Sequence, residues 1–432
     1  MSEPQIDSPP DGPQPADGGD RAEPRVGGSR RSALLLVGSL VVLAAAIAVW
    51  LWLPIARAYI DLLVYRLGGR TWLDGNLLYG PLPPVLNGEE LPFTYPPLAA
   101  IVFAPMAMLA EHPAAAVMFA LSTAALAGTL WLVLARIRPD TRAVTRLTVV
   151  VLVTAAALFI EPVRETLGFG QVNLILMFLV AADILVDKPW WPRGTLIGIA
   201  ASVKLTPAAF ILYFVAGRQW RPAITVAVAA AVATGIGFLL ARADSVQYWL
   251  RGTVVSTNRI GPPQFSSNQS IKGMVIRFGW SDSATIVVWL AASAVVVAMA
   301  LVVMRRMVVA GDPLAAMVVN AATVLLISPV SWSHHWVWIV PAIVLAVDTV
   351  LRRRQSGAPL RWWPIAAIVV VVVAYYVGPH WTVPAGYARE LHWNWWQTIV
   401  GDFYGWTALA GLVVLLLRYR GPRERNAREV SS

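Results

Sequence analysis

Asp61 is the first residue of this sequence whose type and position could do chemistry. It stands in YIDLLVYR, a few residues after an apolar run, and Tyr65 is its i+4 neighbour if the segment forms a short helix. A carboxylate held at an apolar boundary can accept a proton from a substrate hydroxyl. In the alternative, Asp61 forms an interfacial ion pair with Arg57 or Arg66. The spacing alone leaves both interpretations open.

Lys204 is the second such residue, because it interrupts the apolar stretch TLIGIAASVKLTPAAFILYFVAG at residues 195–217. A lysine at membrane depth is costly, and it indicates a functional site when it faces a water-filled cavity or a partner. In the alternative, one continuous helix carries Lys204, whose long side chain reaches the interface. Pro207 favours a break in the helix. We therefore expect Lys204 at the turn of a hairpin.

Two of the five histidines, His334 and His335, are adjacent in ISPVSWSHHWVWIVP. Neighbouring helical residues point about 100° apart, so the pair is poorly suited to one metal ion. The chain also has no HExxH pair and no cysteine. We expect no metal site. Contact with phosphate or sugar, strongest when the rings are protonated, and packing in an interfacial tryptophan belt stay as alternatives.

The elements that must position these residues are membrane helices. Hydrophobic residues make up 57% of the 432-residue chain, charged residues only 13%, and the mean hydropathy is +0.63. A soluble protein carries about 25% charged residues. The composition therefore predicts an all-α polytopic membrane protein. The net charge of +10 comes from arginines between apolar segments, which indicates membrane orientation rather than binding of nucleic acid.

Basic clusters mark the cytoplasmic loops. All of them lie on one side if the run 97–110 does not span and 195–217 forms a hairpin. Both termini are then cytoplasmic, with a disordered tail at 1–29, a membrane domain at 30–420 and a basic tail at 421–432. The number of spans is about twelve, and they cover roughly 33–54, 114–135, 147–160, 172–187, 195–203, 205–216, 222–240, 283–304, 313–327, 336–351, 364–379 and 404–418.

The unusual polar segments all fall on the outer side of this arrangement. A binding or catalytic cavity at the outer leaflet accounts for that distribution, and a scaffold does not. The sequence has no Walker loop, no Rossmann fingerprint after a strand and no GxSxG motif. Chemistry there needs an energy-rich substrate that arrives through the membrane, such as a lipid-linked phosphosugar. The outer segments are 58–97, 161–173, 204–207, 241–282, 328–336 and 387–397.

Six motifs occur in one order: IDLLVYRLGG, LPFTYPPLAAIVFAP, EPVRETLGFGQVNLILM, IAASVKLTPAAFILYFV, SSNQSIKG and ISPVSWSHHWVWIVP. Together, over about residues 55–345, they resemble the polyprenol-phosphate-mannose-dependent α-1,2-mannosyltransferases of glycosyltransferase family 87. The resemblance implies a GT-C fold with interfacial helices after the first span. It also implies an inverting reaction at the outer face of the plasma membrane, without a nucleotide sugar or other cofactor.

The resemblance further implies the substrates. The donor is polyprenyl-phosphate-mannose, the acceptor is a mannosylated phosphatidylinositol, and membrane lipids surround both. Two alternatives stay open: an α-1,2-branching enzyme of lipomannan and lipoarabinomannan, and a lipid or sugar transporter. A transporter often shows internal repeats and a midplane site, neither of which the sequence indicates.

The resemblance assigns roles to particular residues. Asp61 is the base that takes the proton from the acceptor hydroxyl. Positive charge and hydrogen-bond donors must stabilise the departing phosphate, and the candidates are Lys204, Arg164, His334 and His335. The expected sugar or headgroup contacts are Tyr65, Tyr95, Glu161, Gln171, Asn173, Asn268 and Gln269.

Overall fold

The computed structural model describes residues 26–53, 59–85, 88, 90–256 and 261–419. Within those ranges the chain is helical and forms no strand, and one isolated bridge joins Asn268 to Trp332. The predicted tail at 421–432 and most of the tail at 1–29 lie outside the described residues. The first helix begins at Val26, slightly before the predicted start of the membrane domain.

The helices follow the apolar runs of the sequence, with polar or Gly-Pro segments between them. Short 3-10 turns occur at Thr206–Phe210, Thr253–Val255, Ser333–Trp338, Pro379–Trp381 and Arg389–His392, and a π-helical turn covers Val246–Leu250. The described α-helices are α1 (Val26–Trp52), α2 (Ile60–Leu73), α3 (Pro97–Met108), α4 (Glu111–Ile137), α5 (Ala143–Ala157), α6 (Glu161–Phe169), α7 (Asn173–Leu185), α8 (Thr195–Val203), α9 (Ile211–Ala216), α10 (Trp220–Leu240), α11 (Arg242–Ser245), α12 (Ile271–Ile276), α13 (Asp282–Val309), α14 (Pro313–Ile327), α15 (Ile339–Gln355), α16 (Trp362–Val377), α17 (Trp395–Gly401) and α18 (Phe403–Arg418).

Five described helical segments are long and apolar enough to cross a membrane, and their number rises to seven if each bent helix pair counts as one span. The bent pairs are α5–α6, with a 78° bend, and α17–α18, with a 77° bend. A bilayer core requires about 20 apolar helical residues. The protein is therefore a polytopic, membrane-embedded helical protein. Several other apolar helices, among them α7, α14 and α16, are shorter than that length.

Helices α2 and α3 form a closely packed pair after α1. Two glycines of α2 face α3 and its preceding loop. A Cβ on Gly69 would lie 2.9 Å from the Ala104 Cα, and one on Gly68 would lie 2.4 Å from the Phe93 ring. The absence of these side chains lets the two helices approach and places the first turn of α2 beside the polar segments. At 12 residues, α3 is short for a span.

The chain breaks at Lys204, where the sequence predicts a turn. Helix α8 ends at Val203, and Lys204 has extended backbone angles (φ −145°, ψ 127°). Helices α8 and α10 pack in the same direction, because Gly194 lies against Pro222 and the Ser202 hydroxyl lies 3.2 Å from the Ala230 carbonyl oxygen. The chain between them must therefore run back to the side from which α8 started.

Arginines gather at one end of the helix bundle. Arg305 donates to the carbonyl of Gly217 (3.1 Å), Arg306 donates to that of Leu416 (2.8 Å), and Arg352 donates to that of Ile137. These contacts join the C-terminal ends of α4, α9, α13, α15 and α18. We call this end the arginine face, and it comprises Arg136, Arg138, Arg193, Arg305, Arg306 and Arg352.

Candidate active site

Asp61 lies in the first turn of α2 and is half-buried. Arg66, one of its predicted ion-pair partners, points elsewhere and donates to the carbonyls of Met106 (3.2 Å) and Leu109 (2.7 Å). The other, Arg57, lies outside the described residues. Within the described part of the chain, no salt bridge reaches Asp61. The carboxylate thus keeps oxygen lone pairs that a substrate hydroxyl can use.

Two tyrosines and a glutamine form a buried hydrogen-bonded group next to Asp61. The Tyr65 hydroxyl donates to Gln171 Oε1 at 2.6 Å and lies 3.1 Å from the Tyr95 hydroxyl. The Tyr65 ring stacks on Phe103, with 4.3 Å between ring centroids. The Gln171 side chain also acts to lower the pKa of Asp61. Because α2 and the α6–α7 junction meet here, Gln171 connects the carboxylate to the next part of the site.

Lys204 lies at the centre of the site. Its ammonium group donates to Asn173 Oδ1 at 2.8 Å and to Gln171 Oε1 at 3.3 Å, and it lies 3.3 Å from His335 Nε2. It also lies 5.7 Å from the centre of the Tyr95 ring. An ammonium group has three donors, so the protein presents one acceptor for each. Lys204 thus faces polar partners, as the functional interpretation predicted.

The histidines diverge, as their adjacency predicts. His335 lies against Lys204, whereas the His334 ring packs edge-on against Phe169 at 5.2 Å and its ring nitrogens have no hydrogen-bond partner among the described residues. The backbone carbonyl of His334 accepts from Thr166 (2.8 Å) and Asn173 (2.9 Å). Only a neutral His335 can offer Nε2 as an acceptor to an ammonium group. Its contact with phosphate, expected to be strongest when the ring is protonated, stays a prediction.

Burial shifts the two charged groups of the site in opposite directions. It raises the pKa of Asp61 to about 6, although the Lys204 charge and the Gln171 side chain act to lower it. It lowers the pKa of Lys204 to about 8, against the effect of the Asp61 carboxylate. Desolvation disfavours the charged form of each group. A carboxylate with a pKa near 6 is ionised at neutral pH and is a stronger base than an ordinary aspartate.

An apolar cavity begins at Lys204. It has a volume of about 40 Å³, and Lys204, Asn173 and His335 form its polar wall. Apolar side chains of α7, α14 and the turn before α15 form the rest. A second, larger cavity of about 220 Å³ lies among α14, α15, α16 and α18 and shares Leu325 and Trp338 with the first. Leu325 and Trp338 therefore border both an apolar cavity at the ammonium group and a larger one among the membrane helices.

Comparison with known proteins places this site in a family. The model of glycosyltransferase family 87 matches residues 93–329. The chain belongs to glycosyltransferase family 87. The matched range contains Gln171, Asn173 and Lys204, begins after Asp61 and ends before His335. No solved structure matches the chain.

Curated relatives cover most of this family 87 protein. It is 38% identical over 370 residues to the Mycobacterium tuberculosis polyprenol-phosphate-mannose-dependent α-(1-2)-phosphatidylinositol mannoside mannosyltransferase, covering 82% of this chain and 84% of the relative. It is 37% identical over 415 residues to the protein of the same name from Mycolicibacterium smegmatis, covering 91% and 92%. A phosphatidylinositol pentamannoside mannosyltransferase of M. tuberculosis is 33% identical over 347 residues, covering 79% and 78%.

Glu161 and Arg164 of the family 87 protein do not join the Lys204 group. Glu161 is fully buried and accepts hydrogen bonds from Ser333 Oγ (2.7 Å), Trp381 Nε1 (2.9 Å) and the Tyr404 hydroxyl (2.9 Å). Arg164 is half-buried and pairs with the adjacent Glu165 at 3.2 Å. The structure therefore places Glu161 apart from the Lys204 group, with its carboxylate bonded to protein donors, and its expected sugar contact stays a prediction.

Asn268 and Gln269 are likewise placed apart from the Lys204 group. Both are fully buried. The Asn268 side chain donates to the Pro263 carbonyl (2.8 Å) and accepts from the backbone N–H of Ser331 (2.9 Å). The Gln269 amide donates to the Gly401 carbonyl at 2.6 Å. These amides brace the loop behind the histidine turn through bonds to other parts of the protein.

One buried ion pair was not predicted from the sequence. Arg277 and Asp402 are fully buried and hydrogen-bonded to each other, and Arg277 also donates to the Asn268 carbonyl at 2.8 Å. The pair fixes the 261–270 loop against the bend between α17 and α18. The signal in the sequence is Asp402 itself, a lone acidic residue between two apolar helical stretches, where a charge needs a partner.

Proposed function

We propose that this protein is an inverting α-1,2-mannosyltransferase that moves mannose from polyprenyl-phosphate-mannose to a mannosylated phosphatidylinositol. One observation carries the proposal: Gln171 Oε1 accepts from both Lys204 and Tyr65, which is on the helix of Asp61, so the half-buried carboxylate and the ammonium group lie in one site and each charge acts on the pKa of the other. The reaction needs a base and a cation held together in this way. The names of the mycobacterial relatives, which contain this donor and phosphatidylinositol mannoside acceptors, support the same substrates.

Asp61 acts as the general base. Its carboxylate takes the proton from the 2-hydroxyl of the acceptor mannose, and that oxygen attacks the anomeric carbon of the donor. The bond between the anomeric carbon and the phosphate oxygen breaks, and its electron pair leaves with polyprenyl phosphate. A single displacement inverts the anomeric centre. The raised pKa of Asp61, about 6, suits a base that must be ionised yet reactive near neutral pH.

Lys204 stabilises the leaving phosphate. Its three donors face Asn173, Gln171 and His335, and a phosphate oxygen can replace one of these acceptors. Charge-assisted hydrogen bonds to phosphate are among the strong ones in proteins. The phosphate would raise the pKa of the lysine again, because a nearby anion favours the charged form. His335 and Asn173 then complete the surroundings of the anion.

The donor chain lies in the apolar space beside Lys204. The cavity of about 40 Å³ has the ammonium group in its wall, and Leu325 and Trp338 line both this cavity and the cavity of about 220 Å³. A polyprenyl phosphate has this same division into an anionic head and an apolar tail. The acceptor then approaches from the side of Asp61, where Tyr65, Tyr95 and Gln171 present polar edges.

The architecture that accompanies this function is a GT-C fold with about twelve passes and cytoplasmic termini. The arginine face joins the ends of five helices, and basic residues collect on the cytoplasmic side of a membrane protein. This arrangement supports the predicted path of the chain through the membrane. The parallel packing of α8 and α10 supports the predicted hairpin at Lys204. Asp61, Lys204 and His335 then lie towards the outer face of the plasma membrane, with α2 and α3 as interfacial helices.

The acceptor is a phosphatidylinositol mannoside. The relatives named for phosphatidylinositol mannoside are 37–38% identical to this chain, and those named for the pentamannoside are 32–33% identical. The difference favours an acceptor other than the pentamannoside. A longer lipomannan backbone, the alternative that the sequence leaves open, is an outcome that acceptor competition can detect.

Purified protein in lipid vesicles tests the proposal. Synthetic polyprenyl-phosphate-[¹⁴C]mannose is supplied with phosphatidylinositol mannosides of different length or with lipomannan. We expect label in the phosphatidylinositol mannoside fraction and its release by an α-1,2-specific mannosidase. GDP-[¹⁴C]mannose alone should give no product. Transfer from GDP-mannose, or a product that resists the mannosidase, would overturn the assignment.

A further inference from the structure

A buried carboxylate outside the proposed reaction centre connects four distant segments of the chain. We propose that Glu161 is a positioning residue that acts through Ser333 to hold His335 against Lys204. The proposal rests on the function proposed above. It concerns a residue that touches neither donor nor acceptor, since Glu161 is fully buried.

The carboxylate of Glu161 receives donors from both sides. Ser333 Oγ and Trp381 Nε1 donate to Oε1 at 2.7 and 2.9 Å, and the Tyr404 hydroxyl donates to Oε2 at 2.9 Å. His380 Nε2 lies 3.3 Å from Oε1. An ionised carboxylate has about four lone-pair sites and no donor, so it can accept from Ser333, Trp381 and Tyr404, whereas His380 is near Oε1 without a hydrogen bond to it. A glutamine of the same shape would direct an N–H group at one of them.

The position of Glu161 in the fold explains how its carboxylate contacts distant segments. It is the first residue of α6, directly after the 78° bend between α5 and α6, and Tyr404 follows the 77° bend between α17 and α18. Trp381 and His380 belong to the turn after α16. The first turn of a helix favours a negative charge. One carboxylate thus ties both bent helix pairs and the end of α16 to the segment that carries the histidines.

Ser333 transmits this constraint to the site. It begins the 3-10 turn that contains His334 and His335, and its hydroxyl bonds to Glu161. Thr166 and Asn173 hold the next carbonyl, that of His334. With the turn fixed at two successive residues, His335 Nε2 lies 3.3 Å from the Lys204 ammonium. Loss of the Ser333 anchor frees one side of the turn and allows the His335 ring to move away.

A pure packing role for Glu161 predicts no specific effect on donor use or on the His335 ring. Transfer kinetics and histidine NMR therefore distinguish packing from positioning. Ser333→Ala removes one hydroxyl and Glu161→Gln changes the acceptor; the double variant measures their coupling. Tyr376→Phe is the matched control, because the Tyr376 hydroxyl bonds to the Ala156 carbonyl (2.8 Å) beside the same bend but does not touch Glu161. Each variant is assayed for donor and acceptor dependence of transfer in vesicles.

The kinetic experiment has a defined outcome. We expect Glu161→Gln and Ser333→Ala each to lower kcat/KM for the donor about tenfold, the loss of roughly one hydrogen bond to a charged group. The KM for the acceptor should not change, and the double variant should lose little more than either single one. Tyr376→Phe should keep wild-type donor dependence. Additive losses, or wild-type donor dependence in Ser333→Ala, would overturn the proposal.

Histidine NMR provides the second readout and does not need turnover. In protein labelled with ¹³C-histidine, the His335 signal is assigned from its absence in His335→Gln. We expect this signal to shift in Ser333→Ala and in Glu161→Gln and to stay in place in Tyr376→Phe. An unmoved His335 signal would overturn the positioning role. Failure of wild-type protein to use the donor would instead overturn the proposed function and leave this readout intact.

Discussion

The two ends of the helix bundle both carry charge, but their charges have different partners. At the arginine face, Arg193 donates to the carbonyls of Asp183 (2.8 Å) and Ile184 (2.7 Å), which are backbone groups near the end of one helix. At the opposite end, Lys204 donates to the side chains of Asn173 and Gln171 and lies beside His335. Other arginines of this face pair with carboxylates, Arg138 and Arg352 with Asp348 and Arg136 with Asp187. The first arrangement thus satisfies helix termini and forms ion pairs, whereas the second places Lys204 against uncharged side chains.

This difference teaches that charge at a helix end does not by itself indicate a site. The last carbonyls of a helix need donors, and a cation there is also favoured by the helix dipole. Arginines in that position are fully explained by the fold. Lys204 also follows a helix, α8, but its ammonium group does not bond to the helix carbonyls. It contacts polar side chains beside a cavity. A substrate anion can displace side chains more easily than it can displace the backbone of a helix.

The largest expected effect is that of Asp61→Asn. The asparagine keeps the size of the side chain but cannot take the proton, so we expect transfer to fall by about 10²–10⁴-fold. Donor binding should stay near that of the wild type. Asp74→Asn is the matched control, because Asp74 is exposed and pairs with Arg70 at 3.2 Å. Rates are measured with labelled donor at saturating acceptor, and equal rates for the two variants would remove Asp61 from the mechanism.

Lys204→Met should have the next largest effect. The change removes a charge-assisted contact of roughly 1.5–3 kcal/mol, or about one to two decades in kcat/KM for the donor. The acceptor dependence should change less. Lys272→Met is the control, since Lys272 packs 5.2 Å from the Trp289 ring centre, outside the candidate site. Donor titrations decide the question, and wild-type donor dependence of Lys204→Met would contradict the phosphate role.

The arginine face should respond in stability and not in kinetics. Arg193→Met removes donors from the carbonyls of Asp183, Ile184 and Val186. We expect a loss of roughly 1–3 kcal/mol in the free energy of unfolding, seen as a lower thermal midpoint of the detergent-purified protein. Turnover of the protein that remains folded should equal that of the wild type. A changed KM for the donor would show that the two ends of the bundle are not separate in function.

Single-cysteine variants test on which side of the membrane each end of the bundle lies, without an activity assay. The chain has no natural cysteine, so Asp140→Cys, Gln219→Cys and His392→Cys each carry one thiol. With an impermeant maleimide on intact cells, we expect label at position 392 and none at 140 or 219 until the cells are opened. Label at position 219 from outside would overturn the hairpin at Lys204.

Features set by nearby residues could be predicted from the sequence. The helix break at Lys204 follows from a lysine and Pro207 within one apolar run. The divergence of His334 and His335 follows from their adjacency. Tyr65 and Gln171 were each expected among the sugar or headgroup contacts, but their 2.6 Å hydrogen bond joins residues 106 positions apart and was not predicted.

Features set by distant residues could not be predicted. Asn268, Gln269 and Glu161 have the polar chemistry of ligand contacts, and a single sequence does not indicate what saturates them. Gln269 bonds to a carbonyl 132 residues away, and Glu161 bonds to a hydroxyl 172 residues away. Burial and partner geometry decide between a bracing amide and a binding amide. Both properties exist only after the segments pack.

The pH dependence of transfer by wild-type and Asp61→Asn protein tests the central claim most directly. With the pKa of Asp61 at about 6 and that of Lys204 at about 8, the active form has an ionised carboxylate and a protonated amine. We therefore expect kcat/KM to fall about tenfold per pH unit below about 6, as Asp61 gains a proton, and to fall again above about 8, as Lys204 loses one. Asp61→Asn should show a low rate without the acid limb and keep the basic limb. An unchanged acid limb in Asp61→Asn, or a rate near that of the wild type, would contradict the assignment of Asp61 as the base.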